Sequence, residues 1–308
     1  MKIGVMGLGN IAQKAYIPVM NELRSEVEWH FYSRQANKVA ELGKNFNWEF
    51  TYSNWEGFLA SGLDACFIHT PTATHGKLIR ELLLAGIHVF VDKPVSDDFQ
   101  EVSELHELAS SKNLILMTGF NRRFAPMNQQ LKNVPGKNLI IAQKNRLATK
   151  APVKFEIFDM LIHVVDTTLY LLDEGEITSV SYSLHANQTG HLRRGMITFE
   201  TAETTAIASI NMEAGAHTET VEVQALAGTY LVENLDTLTK KEQGVNTIES
   251  FSDWENTLTK RGFKDLILGF IEAVETKTES DINSSHSSLM THYYIDQLYQ
   301  YYLSQPTE

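Results

Sequence analysis

The 308-residue sequence has a single cysteine, Cys66. One thiol excludes an internal disulfide framework and fits a reducing compartment. Its setting, DACFIHT, is an apolar strand pattern, so a buried core thiol is the expected role and a nucleophile is not. Long hydrophobic runs are missing as well. None approaches the about 18 residues of a membrane span, and no apolar leader precedes the fold pattern that begins at residue 2. The expectation is a cytoplasmic protein. Basic residues are in deficit, 26 Lys and Arg against 38 Asp and Glu, for a formal net charge of −12. That balance argues against nucleic acid or an anionic membrane surface as a partner, and any bound anion must be held by local donors. Internal repeats and low-complexity linkers are also absent. What remains is an ordinary globular composition, 43% hydrophobic and 21% charged, in a chain long enough for two domains.

The densest signal lies in KIGVMGLGNIA. Lys2 to Met6 is a short apolar run fit for a buried parallel strand, and Gly7, Gly9 and Ala12 come next at the spacing G-x-G-x-x-A before a helical pattern. The spacing reads as a dinucleotide cradle formed by Gly7, Leu8, Gly9, Asn10 and Ile11, with phosphates on the helix N-terminus. A tight strand-to-helix turn needs glycine even without a ligand, so the motif gains weight from the pattern downstream of it. Strand and helix patterns alternate as far as Phe120: strands over Val27–Ser33, Trp48–Tyr52, Asp64–Thr70, His88–Pro94 and Leu114–Phe120, with helices between. This alternation predicts a doubly wound parallel sheet whose ligand lies at the carboxyl ends of the strands.

Unusual residues cluster at those ends. After the second strand, where a carboxylate usually holds the ribose of NAD, stand Ser33 and Arg34, with Lys38 one helical turn on. A hydroxyl, a guanidinium and an ammonium suit a 2′-phosphate, so the cofactor preference leans to NADP(H), with NAD(H) the alternative. After the fourth strand come Thr70, Pro71 and His75. Helix capping accounts for the threonines there but not for His75. After the fifth come Asp92, Lys93 and Pro94, and a lysine ending a buried strand points into the cleft.

From Asn121 the alternation stops. A short helix is expected over Phe124–Asn133, a strand over Leu139–Arg146, and a polar loop over Ala148–Phe155 that is either a lid or a plain connector. A helix from about Ile157 to Leu172 carries Asp159, His163 and Asp166 at i, i+4 and i+7, on one face. Its plain reading is an ordinary helical Asp–His pair. Its functional reading is a polar face in a cleft. No further ligand cluster at metal spacing accompanies it, so no metal is expected. Beyond Gly175 alternating patterns predict antiparallel strands, with two final helices over about Trp254–Thr276 and Ser287–Ser304. An exposed sheet face with apolar members predicts a homo-oligomer formed through the C-terminal sheet.

Five phrases, GLGNIA, TPTATH, DKP, NRRF and FDMLIHVVD, in this order over nearly the whole chain, resemble the Gfo/Idh/MocA family of pyridine-nucleotide oxidoreductases, and GFNRRFAP and IHVVDT are similar to its MviM branch. The resemblance implies a Rossmann domain over residues 1–121 and an α+β domain over 122–308 with a large, mostly antiparallel sheet. It also implies a catalytic set of Lys93, Asp159 and His163 and a cis peptide before Pro94. Asp92 stands where Glu is commoner, and Leu161 where many members have Gly, which implies less substrate space near that turn. The function so implied is NADP(H)-dependent hydride transfer between nicotinamide and a small alcohol or carbonyl, sugar-like or a polyol. His163 is the first choice as proton carrier, with Lys93 polarising the carbonyl and Asp159 orienting substrate or lysine. Asp92 and Lys93 border the cofactor. Asn121 and Arg123 are candidate substrate contacts, although a structural salt bridge explains Arg123 equally well. The alternative is a non-catalytic nucleotide-binding sensor on the same fold.

Overall fold

In a computed structural model of the chain, residues 1–148, 150–172 and 176–305 are described. Thr149 of the polar loop and Gly175, expected at the start of the alternating region, lie outside the described residues. The chain divides into two compact units, one of Met1–Gly119 with Phe263–Leu289, the other of Phe120–Gly262 with the residues from Met290 onward.

The first unit is built on six parallel strands, β1 (Lys2–Met6), β2 (Glu28–Tyr32), β3 (Phe50–Tyr52), β4 (Ala65–Ile68), β5 (His88–Val91) and β6 (Leu116–Thr118), in the order β3-β2-β1-β4-β5-β6. This is the doubly wound order, with its switch point between β1 and β4. β4 and β5 are buried along their whole length, as strands covered by helices on both faces must be. Cys66 is a free, fully buried thiol within β4, and burial pushes its pKa well up, so it is inert packing.

The helix Phe263–Thr276, expected in the second domain, belongs to this unit. The ring of Phe270 lies 4.9 Å from Phe67 of β4 and 5.5 Å from Phe90 of β5, while Phe263 meets Tyr16 edge-on at 5.4 Å. Apolar periodicity predicts that a helix is covered, not which sheet covers it. The single helix expected over Trp254–Thr276 is also two, Thr257–Lys260 and Phe263–Thr276, because Gly262 between them has φ +77° and a Cβ there would lie 2.3 Å from the Asn121 carbonyl oxygen.

The second unit holds an eight-stranded sheet of β7 (Lys137–Asn145), β8 (Ser179–Ala186), β9 (Leu192–Glu200), β10 (Thr205–Asn211), β11 (Thr218–Ala225), β12 (Gly228–Glu233), β13 (Thr237–Glu242) and β14 (Val245–Ser250). Its order is β14-β13-β12-β11-β7-β10-β9-β8. All neighbours are antiparallel except β7 and β10. One face packs Ile140, Ala142, Ile197, Ala208 and Val223 against Ile157, Leu161, Val164 and Val165 of the helix that spans 153–171. That helix starts four residues earlier than expected. Val153 opens it with its amide on the Gly190 carbonyl (3.1 Å), and Pro152 bridges His191, so the loop after Ala148 is shorter than predicted and is pinned to the β8–β9 turn.

Candidate active site

The first unit supplies a cradle whose two glycines have different jobs. Gly7 has φ +81°, and a Cβ there would lie 2.3 Å from the His69 carbonyl carbon and 2.4 Å from the Thr70 nitrogen, so glycine is needed for the chain itself to pass. A Cβ on Gly9 would meet nothing nearer than the Gly7 oxygen at 3.9 Å, which leaves open space at the start of the next helix. Ala12 is fully buried beneath it. The first-turn amides of a helix have no intrahelical partner, and here they border that space. Ser33 and Arg34 come directly after β2, Arg34 exposed and Lys38 half-buried in the helix Ala36–Phe46.

At the end of β5 the peptide Lys93–Pro94 is cis. Asp92 is fixed within this unit, accepting from the Tyr16 hydroxyl on one oxygen and lying 2.8 Å from His69 Nδ1 on the other. Burial would raise the Asp92 carboxyl, but His69, the Tyr16 hydroxyl and the neighbouring Lys93 charge overcome it and hold it below its ordinary range. Tyr16, raised well above the usual phenol range by burial and by Asp92, stays a donor. His75 is 1% exposed, its ring nitrogens 2.9 Å from the Pro94 carbonyl and 2.8 Å from the Thr70 carbonyl. It braces the turns after β4 and β5, and both nitrogens are engaged in doing so. Lys93 is half-buried at this turn.

In the second unit Asp159 and His163 are half-buried on the helix spanning 153–171, and Ile157–Leu161 is a π-helical stretch that adds a residue to the turn. Asp166 does not share their exposure. It is 1% exposed, forked by Arg123 (Nε to both oxygens at 3.1 and 3.0 Å, with Nη2 on Oδ1) and bonded by Thr291 Oγ1 at 3.1 Å. Arg123, 3% exposed, thus makes a structural ion pair with Asp166. The neighbouring Arg122 reaches the site instead. Its Nη1 lies 2.8 Å from His163 Nδ1 and 3.3 Å from Asn121 Oδ1, while its Nε and Nη2 clasp Glu219. Lys144 bonds the same carboxylate. Asn121 is 4% exposed and donates to the Arg261 carbonyl at 2.8 Å, which gives it a structural bond in the place foreseen for substrate.

A guanidinium can only donate, so His163 Nδ1 accepts and its Nε2 carries the hydrogen in the neutral ring. Burial would raise the Glu219 carboxyl, yet Arg122 and Lys144 hold it far below the carboxylate range. Burial and the Arg122 charge push the Lys144 ammonium down to about 7.

Residues 1–120 match the model of an oxidoreductase family with an NAD-binding Rossmann fold, Gfo/Idh/MocA, and residues 126–243 match the YceM-like C-terminal domain. The Salmonella typhimurium protein YceM is 33% identical over 282 residues, 90% of this chain and 91% of that protein. The chain belongs to the Gfo/Idh/MocA oxidoreductase family. A crystal structure of the dehydrogenase MviM from Clostridium difficile superposes with a TM-score of 0.90 at 28% identity, covering 98% of this chain and 99% of that one. Inositol 2-dehydrogenase 4 of Saccharopolyspora erythraea is 34% identical over 158 residues, 46% of each protein.

As a Gfo/Idh/MocA oxidoreductase the chain has residues that fit a dinucleotide, since the open space at Gly9 is where backbone amides can approach a pyrophosphate. Its two departures from the usual family phrases both have structural partners. Asp92 is taken up by Tyr16 and His69. Leu161 is fully buried and packs towards Gly195 of β9, so its bulk goes into the core. Among the described residues no group of three or more His, Cys, Asp or Glu is arranged to hold a metal, and no helix is long and apolar enough to cross a membrane.

The two glycines of the cradle are expected to separate in mutagenesis. Gly7→Ala lowers stability by about 2 kcal/mol or more, from the positive φ and the backbone clash. Gly9→Ala keeps the wild-type urea midpoint and weakens dinucleotide binding by fluorescence titration. A Gly9→Ala variant that binds NADPH and NADH as the wild type does would refute the cradle.

Proposed function

We propose that the chain is an NADP(H)-dependent oxidoreductase interconverting an alcohol and a carbonyl on a sugar-like or polyol substrate. The polyol class is supported by the inositol dehydrogenase among its relatives. When bound, the nicotinamide supplies or accepts the hydride. The chain's own residues must then manage the substrate oxygen and its proton. The observation that carries their assignment is the bond from Arg122 to His163 Nδ1. With its hydrogen on Nε2, His163 is a donor to the substrate oxygen, and Lys93, whose ammonium holds three protons, polarises that oxygen and delivers the proton in the reducing direction. This shifts the proton-carrying role from the histidine, where the sequence alone put it, to the lysine. Asp159 orients the substrate hydroxyls. The test is NADPH and NADP⁺ turnover with a panel of polyols, aldoses and their keto forms. Bound dinucleotide with unchanged nicotinamide absorbance across the whole panel would overturn the reading.

The preference for NADP(H) is supported by Ser33 and Arg34 directly after β2 and by Lys38 one turn on. A charge-assisted guanidinium–phosphate contact stabilises by roughly 1.5–3 kcal/mol. NADPH is therefore expected to bind about tenfold or more tightly than NADH, with Arg34→Ala removing the difference. Tighter NADH binding by calorimetry would reverse the assignment.

A further inference from the structure

The strongest charge anomaly in the molecule lies beside His163. Four cationic side chains, Arg122, Lys144, Arg146 and Arg261, gather in the second unit around one carboxylate, Glu219, in a chain whose net charge is −12. Arg122 and Lys144 are consumed by Glu219 and His163. Arg146 and Arg261 are both half-buried, and among the described residues neither has a carboxylate within ion-pair distance. Arg146 comes directly after β7, has its backbone fixed by the Asn211 carbonyl (2.8 Å), and sets Nη2 3.5 Å from the sulfur of Met160, the residue after Asp159. Arg261 has its backbone fixed by Asn121, the residue next to Arg122, and Gly262 behind it lets the chain approach that closely. The Arg146 guanidinium is thus held against Met160, on the helix that carries Asp159 and His163, and the Arg261 backbone is held by Asn121, beside the Arg122 that bonds His163. A half-buried guanidinium without a counter-ion is costly unless a ligand supplies the charge.

We propose that Arg146 and Arg261 form a subsite for an oxyanion of the substrate, a carboxylate or a phosphate monoester, so that the enzyme acts on acidic sugar derivatives in preference to neutral polyols. The proposal rests on the oxidoreductase reading above and narrows its substrate class. The electrostatics of the cluster agree with it. Burial lowers the Arg261 guanidinium, Arg122 and Arg146 lower it further, and only Glu219 opposes them. An added anion would relieve this mutual repulsion. The planar fork of arginine matches both candidate anions.

The test compares D-glucuronate, D-glucose 6-phosphate and D-glucose at matched ionic strength. Binding is measured by calorimetry and by thermal shift in the presence of dinucleotide, and turnover by nicotinamide absorbance. One or both anions are expected to bind at least roughly tenfold more tightly than glucose, and which one does so distinguishes carboxylate from phosphate. Arg146→Met and Arg261→Met are each expected to erase about that factor, while Arg146→Lys restores part of it. The wild-type comparison needs no variant, so a misfolded substitution leaves the test intact. Equal binding of glucose and both anions, no binding of any of the three, or anion affinity unchanged in both methionine variants would overturn the proposal. Turnover of glucose at the anions' efficiency would sink the subsite while sparing the oxidoreductase reading. Anion binding that depends on Arg146 and Arg261 without any turnover would support the subsite and count against that reading.

Discussion

Glu219→Gln is expected to lower the free energy of unfolding by about 3–5 kcal/mol, because it leaves two buried cations without their shared counter-charge. Glu219 is 7% exposed and bonds Arg122 through both oxygens and Lys144 through one. An amide can accept from one of these donors but cannot neutralise either. The pH dependence of stability has a sign that checks the assignment. The native carboxyl of Glu219 lies far below its unfolded value of about 4.3. Its contribution is therefore complete above that value and is lost as pH falls towards the depressed native one. Lys144 works in the opposite sense. Its native value of about 7 lies below the unfolded value of about 10.4, so the unfolded chain binds more protons between them and stability rises over that interval. Urea denaturation from pH 3 to pH 10 should show both limbs in the wild type. In the Glu219→Gln variant the acid limb shrinks to what Asp92 and the other depressed carboxylates contribute, and the alkaline rise starts lower. Wild-type stability in that variant would refute the account of the cluster.

Lys93→Met and His163→Asn are each expected to lower kcat/KM by about 10²–10⁴ once a substrate is in hand, the range for removing a group that donates to the reacting oxygen. The His163→Asn variant should keep its dinucleotide affinity, because that residue belongs to the unit without the cradle. Asn presents an amide but not an Nε2–H in the place held by the Arg122 bond. Unchanged turnover in both variants would sink the catalytic assignment. A loss confined to Lys93→Met would leave His163 as an orienting group.

The features legible in the sequence are those of short-range physics. The glycine spacing, the buried β-branched and aromatic runs and the strand-to-helix rhythm mark the six strands of the first sheet and their parallel, doubly wound class, because each acts over a few residues. Strands β13 and β14 carry little sequence signal, since TLTKKE and VNTIES have little apolar alternation and β14 is mostly exposed. Arg122 and Arg123 are neighbours of one type, and sequence has no means of deciding which meets Asp166 and which meets His163; only the turn of the 3₁₀ helix over Asn121–Phe124 does so. Tyr16, His69, Lys144, Arg146, Glu219 and Arg261 were invisible for a related reason. Their partners lie 23 to 97 positions away or, for Arg261, further still, except where Arg146 meets Met160. The one sequence signal available was charge inside alternating strands, Lys144 in LIIAQKN and Glu219 in ETVEV, both at positions that should face the core.

The helix after the cradle and the helix bearing Asp159 and His163 share a peculiarity of counting. Each contains five residues wound as π-helix, Ala12–Tyr16 in one and Ile157–Leu161 in the other. Such a stretch is an α-helix that has swallowed one residue too many. Excising a single residue there would return each to a regular ladder of i to i+4 bonds, a gain for the backbone taken alone. The same excision would rotate everything before it by roughly 100° about the helix axis relative to everything after it, turning Asp159 relative to His163 in one helix and the cradle relative to Tyr16 in the other. These two surplus residues are therefore length written into the chain for aim, and a shorter, tidier helix would fold with its chemistry facing the wrong way.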